Sequence, residues 1–325
     1  SWYRRQRQMC IRDRSRRDET GANVIGSDWN LSFIDNKFFS NGQIIRSNVN
    51  SSIGRAFRFN AGYLDPDWWS ARIWLGTSDN KFDINDLGFI RRNNITWGGA
   101  RLAFRKQEPW GRFINNKIEF KYTQNWNRSG LILERQFEVE QNNLFSNYWR
   151  FGFFGNLFLP GFNDEDVFRN DNAWVYKTEL WGYGGPSIST DRRKKIIIGA
   201  EFGSGYGKNR GMGYRANVWL QAKPIEQLNF EINVMQDKSP SYMRWVDIIE
   251  NFYDTARVYA NSTLITRDIN IRLDWTFSPK LTLQCYAQPF YADLDYESFF
   301  RLREPETMNL ESVSYTHLTL PTIPG

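Results

Sequence analysis

The chain has 325 residues, of which 41% are hydrophobic, 17% aromatic and 24% charged, and its formal net charge is +6. It is too apolar and too aromatic for an intrinsically disordered chain, and its length allows one large domain or two ordinary ones. One histidine and two cysteines exclude most histidine and cysteine chemistry, so neither a cofactor nor a catalytic residue is expected.

The two ends of the chain are expected to be foreign to the protein. The run VSYTHLTLPT, which begins at Val313, and the run RRQRQMCIRD, which begins at Arg4, can be back-translated into reverse-complementary DNA over ten codons. Both strings resemble the adapter of transposase-based sequencing libraries, and such scars are left out of fold reasoning. We therefore expect residues 1–14 and 313–325 to be translated adapter, and residues 15–312 to be the protein's own domain.

Leaving out these ends changes the chemistry that the chain offers. Five arginines and one aspartate are removed, so the net charge falls to +2, and His317 and Cys10 are removed as well. A basic nucleic-acid-binding surface is then unsupported, and no nucleic-acid partner is expected. Catalytic triads and histidine-ligated zinc sites are excluded. The remaining Cys285 lies on the apolar side of its predicted strand and is expected to be a buried small hydrophobe.

Alternation of apolar and polar residues recurs along the chain. No stretch reaches the about 18 apolar residues of a transmembrane helix. In chain order, residues alternate at 28–33, 117–122, 131–140, 228–234 and, most clearly, 269–277. A period of two places each apolar set on one face of a strand. The alternation runs for about 9–12 residues, which is enough to cross a bilayer, whereas strands average about 5–6 residues.

The connections between these strands are expected to have two lengths. Short ones are predicted at 35–37, 64–67, 107–112, 142–143, 223–227 and 278–280, and long ones at 78–94 and 160–172. Short turns on one side and long loops on the other are typical of outer-membrane barrels. Segment 228–277 is then expected to hold four strands, one of them at 242–249. The sequence predicts an all-β fold, in which residues 15–312 form an outer-membrane β-barrel domain. This is an antiparallel transmembrane β-barrel of about 16 strands that lacks both native ends.

Aromatic residues crowd the ends of the predicted strands. They are Trp68, Trp69, Trp97, Trp126, Tyr148, Trp149, Trp174, Trp181 and Trp219. Tryptophan and tyrosine prefer the headgroup level of a membrane, so most of them are interpreted as an aromatic girdle. Ordinary core residues and sugar-stacking platforms remain alternatives for the same side chains.

Segment 82–94 is the one place where the sequence suggests a functional site. It carries four charged residues, Asp83, Asp86, Arg91 and Arg92, together with the apolar Leu87, Phe89 and Ile90. Apolar loop residues need a surface to cover, so the loop is expected to fold back over or into the barrel mouth. There Arg91 and Arg92 would face the lumen and restrict access to it. The alternative is that they pair with Asp83 and Asp86 and only hold the loop closed.

Other motifs carry weaker signals. The acidic loop at 163–166 has the oxygen ligands that calcium prefers, although a solvated loop explains it more simply. The glycines between Gly203 and Gly213 resemble a phosphate loop, but no helix follows, and close contacts explain them better. The basic run 192–195 is expected to be a solvated turn. Paired carboxylates are plentiful, so a glycosidase-type pair remains an alternative that no residue singles out.

Two segments carry a resemblance to a known family. The segment FDINDLGFIRRNN at 82–94 is close to the pattern N-D-L-G-F-x-R-R-N, and LTLQCYAQPFYADLDYESFFRL at 281–302 is close to L-x-L-Q-x-Y-A-Q-P-F. The matching positions are Asn85, Asp86, Leu87, Gly88, Phe89, Arg91, Arg92 and Asn93, then Leu281, Leu283, Gln284, Tyr286, Ala287, Gln288, Pro289 and Phe290. The chain thus resembles the C-terminal β-barrel of uncharacterised Gram-negative outer-membrane proteins, in which a domain similar to xylanase carbohydrate-binding modules precedes the barrel.

The resemblance implies a Gram-negative outer-membrane location, with membrane lipid and a polar solute or carbohydrate as partners. It supplies neither a substrate nor catalytic residues. The function expected is that of a channel, transporter or surface platform for a polar solute, linked to carbohydrate use. The alternative is a soluble all-β protein that binds or cleaves glycans. Apolar strand residues that pointed inward would favour the alternative.

Overall fold

The computed structural model of the protein describes residues 16–17, 20–65, 67–85, 90, 92–165, 167, 174–251 and 254–313. The fold is all-β, with 77% of the described residues in strands. Among the described residues, no helix is long and apolar enough to cross a membrane. The predicted adapter ends lie outside these residues except for Val313, which pairs with Phe299.

Nineteen strands follow one another in the part of the chain that the structure describes. They are β1 (Arg16–Arg17), β2 (Thr20–Phe33), β3 (Phe38–Val49), β4 (Ser52–Leu64), β5 (Trp69–Ser78), β6 (Ile95–Lys106), β7 (Phe113–Asn127), β8 (Ile132–Phe145), β9 (Arg150–Leu159), β10 (Phe162–Asn163), β11 (Tyr176–Lys177), β12 (Trp181–Ser189), β13 (Ile196–Gly207), β14 (Gly211–Ile225), β15 (Leu228–Asn251), β16 (Asp254–Ser278), β17 (Leu281–Ala287), β18 (Phe290–Leu302) and β19 (Leu310–Val313). Seventeen of them form one large sheet, and β10 and β11 form a separate pair.

Pairing is antiparallel and joins strands that are neighbours in the chain. It runs through β2, β3, β4, β5 and β6 and again from β12 to β16. Strand β9 pairs with β12 across the long connection between them. Strand β16 pairs with both β17 and β18, which a short break at Gln288 and Pro289 separates. The prediction of an antiparallel all-β fold is therefore confirmed.

The chain divides into two compact units. The first contains Ser1–Gln107 and Lys117–Glu138, and the second contains Glu108–Asn116 and Val139–Gly325. The second unit has a buried aromatic cluster whose largest fully buried side chain is Tyr259. Its hydroxyl donates to the carbonyl oxygen of Trp174 at 3.0 Å and accepts from the amide of the same residue at 3.3 Å. This cluster fixes the segment around β11 to strand β16.

Most predicted connections coincide with strand ends, but the turn predicted at 142–143 is wrong. Asn143 lies inside β8, where its Oδ1 accepts from Asn116 Nδ2 at 2.6 Å and its Nδ2 donates to the carbonyl oxygen of Phe151 at 3.3 Å. The side-chain amide of Asn143 is hydrogen-bonded to both neighbouring strands. The two polar residues Asn142 and Asn143 therefore interrupt the alternation without ending the strand.

The prediction of four strands within 228–277 is also wrong. Strands β15 and β16 have 24 and 25 residues and form a single hairpin. The prediction needed an even number of strands, so that the chain begins and ends this segment at the same edge of the sheet. Two long strands meet that condition as well as four short ones. Residues 242–249 belong to β15, and their register with β16 shifts between Ser241 and Arg244 and again between Trp245 and Asp247. These bulges explain the weak alternation there, since each one turns the following side chains to the other face.

Cys285 is exposed, so the expectation of a buried cysteine is wrong. It lies in β17, where every residue is exposed on both faces of the strand. An apolar position in an alternating pattern is buried only where another element covers that face.

Large hydrophobic side chains are exposed along many of the strands. Among the described residues, eleven hydrophobic residues are buried and 38 large hydrophobic side chains are exposed. Ile44, Ile73 and Val218 are 57%, 55% and 52% exposed in the middle of long strands. Polar side chains on the opposite faces bond to one another instead, as Lys121 Nζ does to Glu138 Oε1 at 2.8 Å and Gln221 Nε2 to Glu231 Oε1 at 3.0 Å.

The basic run 192–195 lies in an exposed turn between β12 and β13, as predicted. Asp191 begins this turn and accepts hydrogen bonds from the Arg193 amide at 2.9 Å and from Arg193 Nη2 at 2.8 Å. The Arg193 side chain, more than any other group, lowers the pKa of Asp191 to about 2. The carboxylate therefore remains charged well below the ordinary range of an aspartate.

This depressed pKa predicts a pH dependence of the stability. The stabilisation should be complete above the ordinary aspartate pKa of about 4 and should be lost as the pH falls through about 2. A carboxyl-detected NMR titration should find Asp191 ionised at about pH 3, and Arg193→Gln should move its midpoint back toward about 4. A midpoint near 4 in the unchanged protein would contradict the pairing.

Candidate functional site

Strands β3 to β6 carry an unusual distribution of charge. They contain no aspartate or glutamate and seven basic residues, namely Arg46, Arg55, Arg58, Arg72, Arg101, Arg105 and Lys106. The register places Arg58 opposite Gly76 and Arg72 opposite Arg101, so these side chains share one face of the sheet. We call the face that carries Arg58, Arg72, Arg101 and Arg105 the polar face. It lies within the first unit.

Two tryptophans lie flat on this polar face. Trp74 stands directly opposite Gly99, and Trp97 stands directly opposite Gly76, in the register of β5 and β6. A Cβ atom on Gly76 would lie 2.2 Å from Cζ2 of Trp97, and one on Gly99 would lie 2.3 Å from Cζ2 of Trp74. Each indole therefore packs against the backbone of the partner strand, where only glycine leaves room. We call Trp74 and Trp97 the indole pair.

Arginine and amide groups surround the indole pair. The guanidinium carbon of Arg58 is 6.0 Å from the centre of the Trp97 ring, and that of Arg72 is 5.9 Å from the centre of the Trp74 ring. Arg72 Nε donates to Asn60 Oδ1, and Asn60 Nδ2 donates to Asn41 Oδ1 at 3.1 Å. Both arginines are exposed, and both indoles are half-buried. The rings and charges thus remain available to a bound molecule.

A charged cluster lies beside this site on the neighbouring strand β7. Arg101 Nη2 donates to Glu119 Oε2 at 2.6 Å, and Lys117 Nζ lies 2.7 Å from the same oxygen. One carboxylate therefore serves two cations, and the cluster retains a net positive charge. Because Glu119 is held by Arg101 and Lys117, it does not pair with Arg58 or Arg72 beside the indole pair.

The long loop before β6 folds back onto the same face. Phe82 is buried, and its backbone packs so closely on Gly54 that a Cβ there would lie 2.2 Å from Phe82 Cα. The amide of Asp83 donates to the buried Ser47 Oγ at 3.1 Å. Both Gly54 and Ser47 lie on the polar face, in β4 and β3. The start of the loop therefore covers the end of this face, while Leu87 and Phe89, on which the predicted folding of the loop rests, lie outside the described residues.

Only part of the predicted loop site can be placed. Asp83 Oδ1 accepts from the amide and the side chain of Asn85 at 2.9 and 2.8 Å, and Arg92 Nε lies 3.5 Å from the carbonyl oxygen of Asn93. Asp86 and Arg91 lie outside the described residues. The roles of these four residues in the lumen or in closing the loop stay predictions.

The second unit has a small pocket of its own. Its volume is about 180 Å³, and it is lined in part by Trp181, Tyr183, Arg210, Arg215 and Asp237. Arg215 Nε lies 2.9 Å from Asp237 Oδ2. The ring of Trp181 is stacked on Phe158 at 4.1 Å with a 1° interplanar angle, and the Arg210 guanidinium lies 4.5 Å from it. The stacked Phe158 and the nearby guanidinium leave little of the indole face to a ligand.

The glycines between Gly203 and Gly213 belong to this region. A Cβ on Gly203 would lie 2.4 Å from the Tyr183 hydroxyl, and one on Gly205 would lie 2.6 Å from the carbonyl oxygen of Gly182. Close packing therefore explains them, as the sequence suggested, and a phosphate loop is not needed. Among the described residues, no group of three histidines, cysteines, aspartates or glutamates is placed to hold a metal ion.

The sequence interpretation missed the indole pair, because it assigned Trp97 to a membrane girdle and did not select Trp74. A local signal was available in the segments Trp74-Leu75-Gly76 and Trp97-Gly98-Gly99. Two antiparallel W-x-G segments in this register place each tryptophan over the glycine of the other strand. Trp219, which was also assigned to the girdle, covers Gly199 on the face that carries Asn217, and the girdle itself stays a prediction.

Comparison with known proteins gives one match. A family model described as Domain of unknown function (DUF5916) matches residues 10–318. No curated protein and no solved structure matches the chain.

Proposed function

The chain belongs to this family of unknown function, and from that premise we propose that it is a Gram-negative outer-membrane β-barrel protein. In this proposal it acts as a channel, transporter or surface platform for a polar solute and is linked to carbohydrate use. The outward surface of its strands contacts lipid, and the polar face contacts water and the solute.

The observation that carries this proposal is the exposure of many large apolar side chains along the long strands. In water, the exposure of a large apolar side chain such as Ile44 or Ile73 in mid-strand is unfavourable. Many such side chains in one sheet form apolar patches that soluble proteins rarely expose. In a membrane, the same side chains contact acyl chains. The polar network on the other face, including Lys121–Glu138, is then what a wet interior requires.

Strand length gives independent support. Strands β2 to β9 and β12 to β14 have 9 to 15 residues each. About 9–11 tilted residues cross the hydrocarbon core, whereas an ordinary strand has about 5–6. Exposed tryptophans at strand ends also fit the headgroup level, as at Trp68 and Trp149, which are 59% and 43% exposed.

The alternative of a soluble glycan-binding or glycan-cleaving protein is favoured by one observation, the indole pair. Flat aromatic rings on an open sheet are equally useful to a protein that binds sugars in water. The medium that the protein needs for folding distinguishes the two functions. A soluble glycan-binding protein folds in buffer alone, whereas a membrane barrel needs detergent or lipid.

The test is refolding from urea into buffer, into detergent micelles and into phospholipid vesicles. We expect a compact band on cold SDS gels only with micelles or vesicles, and a slower band after boiling. Vesicles should protect the strands from added protease, and planar bilayers should show discrete conductance steps if the protein is a channel. Cooperative folding of a monomer in detergent-free buffer would overturn the membrane proposal.

A further inference from the structure

We propose that the indole pair, together with Arg58 and Arg72, binds the sugar rings of an anionic oligosaccharide, that is, a chain of uronic acid units. The inference deepens the proposed function, because it names the class of polar solute, and it rests on that function only in requiring the polar face to be wet. The inference has two parts. Sugar rings stack on Trp74 and Trp97, and sugar carboxylates pair with the two arginines.

The first part is an aromatic floor, which is the surface formed by the indole pair. Each indole has one side against a glycine backbone and stays half-exposed, so its other side is available for stacking. The axial C–H groups of a pyranose ring carry partial positive charge and suit the negative face of an indole. Trp74 and Trp97 are diagonal neighbours on adjacent strands, roughly 7–8 Å apart. A floor of this extent fits more than one sugar ring.

Packing alone does not explain the arginines around this floor. Trp29 covers Gly42 in the same way, with Cζ2 2.2 Å from the position of a Cβ, and it stands directly opposite that glycine. Trp29 shares its face with the exposed Ile25 and Phe33. A tryptophan can therefore cover a glycine without a neighbouring cation, and Arg58 and Arg72 require another explanation.

The second part is the charge. Strands β3 to β6 have no acidic residue, and the nearby Glu119 is engaged by Arg101 and Lys117. A guanidinium binds a carboxylate with two parallel hydrogen bonds, which gives both affinity and orientation. Asn60 and Asn41, in the same row as Trp74, offer amide groups to sugar hydroxyls. Ring faces, hydroxyls and carboxylates occur together in uronic acid chains.

Single-stranded nucleic acid also combines flat rings with negative charge. It carries one phosphate per nucleotide and is bound along a groove of cations that follows its backbone. Of the other two arginines on the polar face, Arg101 pairs with Glu119 and Arg105 donates to Ser70 Oγ. The two guanidiniums of Arg58 and Arg72 fit two carboxylates better than a run of phosphates. An oligonucleotide is therefore the competing outcome of the experiment.

The experiment measures binding of a galacturonic acid trimer, its methyl ester and a thymidine hexanucleotide by calorimetry. The protein is used in whichever medium it folds, so a failure of the membrane proposal does not decide this result. We expect the acid trimer to bind at least about tenfold more tightly than the neutral methyl ester, which has the same rings. Arg58→Gln combined with Arg72→Gln should abolish that preference.

The aromatic contribution has a matched control. Trp97→Phe and Trp74→Phe keep an aromatic ring over glycine and should weaken both trimers, whereas Trp29→Phe removes the same indole area elsewhere and should change neither. Compact migration on cold SDS gels or an unchanged thermal midpoint verifies that each variant is folded. The inference is overturned if the unchanged protein does not bind the acid trimer, if the hexanucleotide binds more tightly, or if Trp29→Phe weakens binding as much as Trp97→Phe.

Discussion

Replacing Ile44 with lysine should prevent the protein from inserting stably into a bilayer. Ile44 lies near the middle of β3 and is 57% exposed. A lysine on the lipid face near the bilayer midplane costs about 2–4 kcal/mol. The same replacement on a water-exposed surface changes the free energy of unfolding by only about 0.5 kcal/mol in either direction. Folding into phosphatidylcholine vesicles during a urea titration, followed on cold SDS gels, measures this difference.

The neighbouring Gln43 provides the control for Ile44. It lies in the same strand but on the polar face, opposite Arg58. Gln43→Lys introduces the same side chain one residue away, so we expect its urea midpoint to stay closer to that of the unchanged protein. Equal effects of Ile44→Lys and Gln43→Lys, or a negligible effect of Ile44→Lys, would show that the apolar face does not contact lipid.

Replacing Tyr259 with alanine should destabilise the second unit by about 3–5 kcal/mol. The ring is fully buried and makes edge contacts with Tyr176 and Trp245, with ring centres 5.5 and 5.2 Å away. Its removal leaves a cavity and also frees both backbone groups of Trp174, which the hydroxyl now satisfies. Equilibrium unfolding followed by tryptophan fluorescence should report the loss.

Two further variants separate the contributions to this loss. Tyr259→Phe keeps the ring and removes only the hydroxyl, so about 1–3 kcal/mol of the effect should remain. Tyr206 is 65% exposed, and Tyr206→Ala should change the stability far less than Tyr259→Ala. If Tyr259→Ala unfolded at the same urea concentration as the unchanged protein, the cluster would not stabilise this unit.

The strands could be predicted from the sequence because their alternation is strong. Residues 269–277 alternate almost perfectly and lie in β16, and the loop predicted at 78–94 separates β5 from β6 to within one residue. Errors arose where local pattern and long-range pairing disagree. The bulges near Arg244 and Trp245 hid one long strand, and the amide contacts of Asn143 kept β8 continuous through an expected turn.

The candidate site could be predicted only in part, because it depends on register. The folding of the loop over a barrel mouth stays a prediction, and the structure shows only that Phe82 covers Gly54. The indole pair requires the pairing of Trp74 with Gly99, which no local pattern specifies without the register of β5 and β6. Alternation predicts which face of the sheet a side chain lies on. The residue opposite it on the next strand depends on the register between the two strands.

The order of pairing along the chain has a consequence for how fast the protein forms. Most paired strands are joined by short turns, so their contacts have a low sequence separation and can form one hairpin at a time. The pairing of β9 with β12 is different, because it must close over the segment between Leu159 and Trp181. Closing that longer loop costs conformational entropy before any hydrogen bond between β9 and β12 can form. We therefore expect this junction, rather than the long β15–β16 hairpin, to limit the rate of assembly of the second unit.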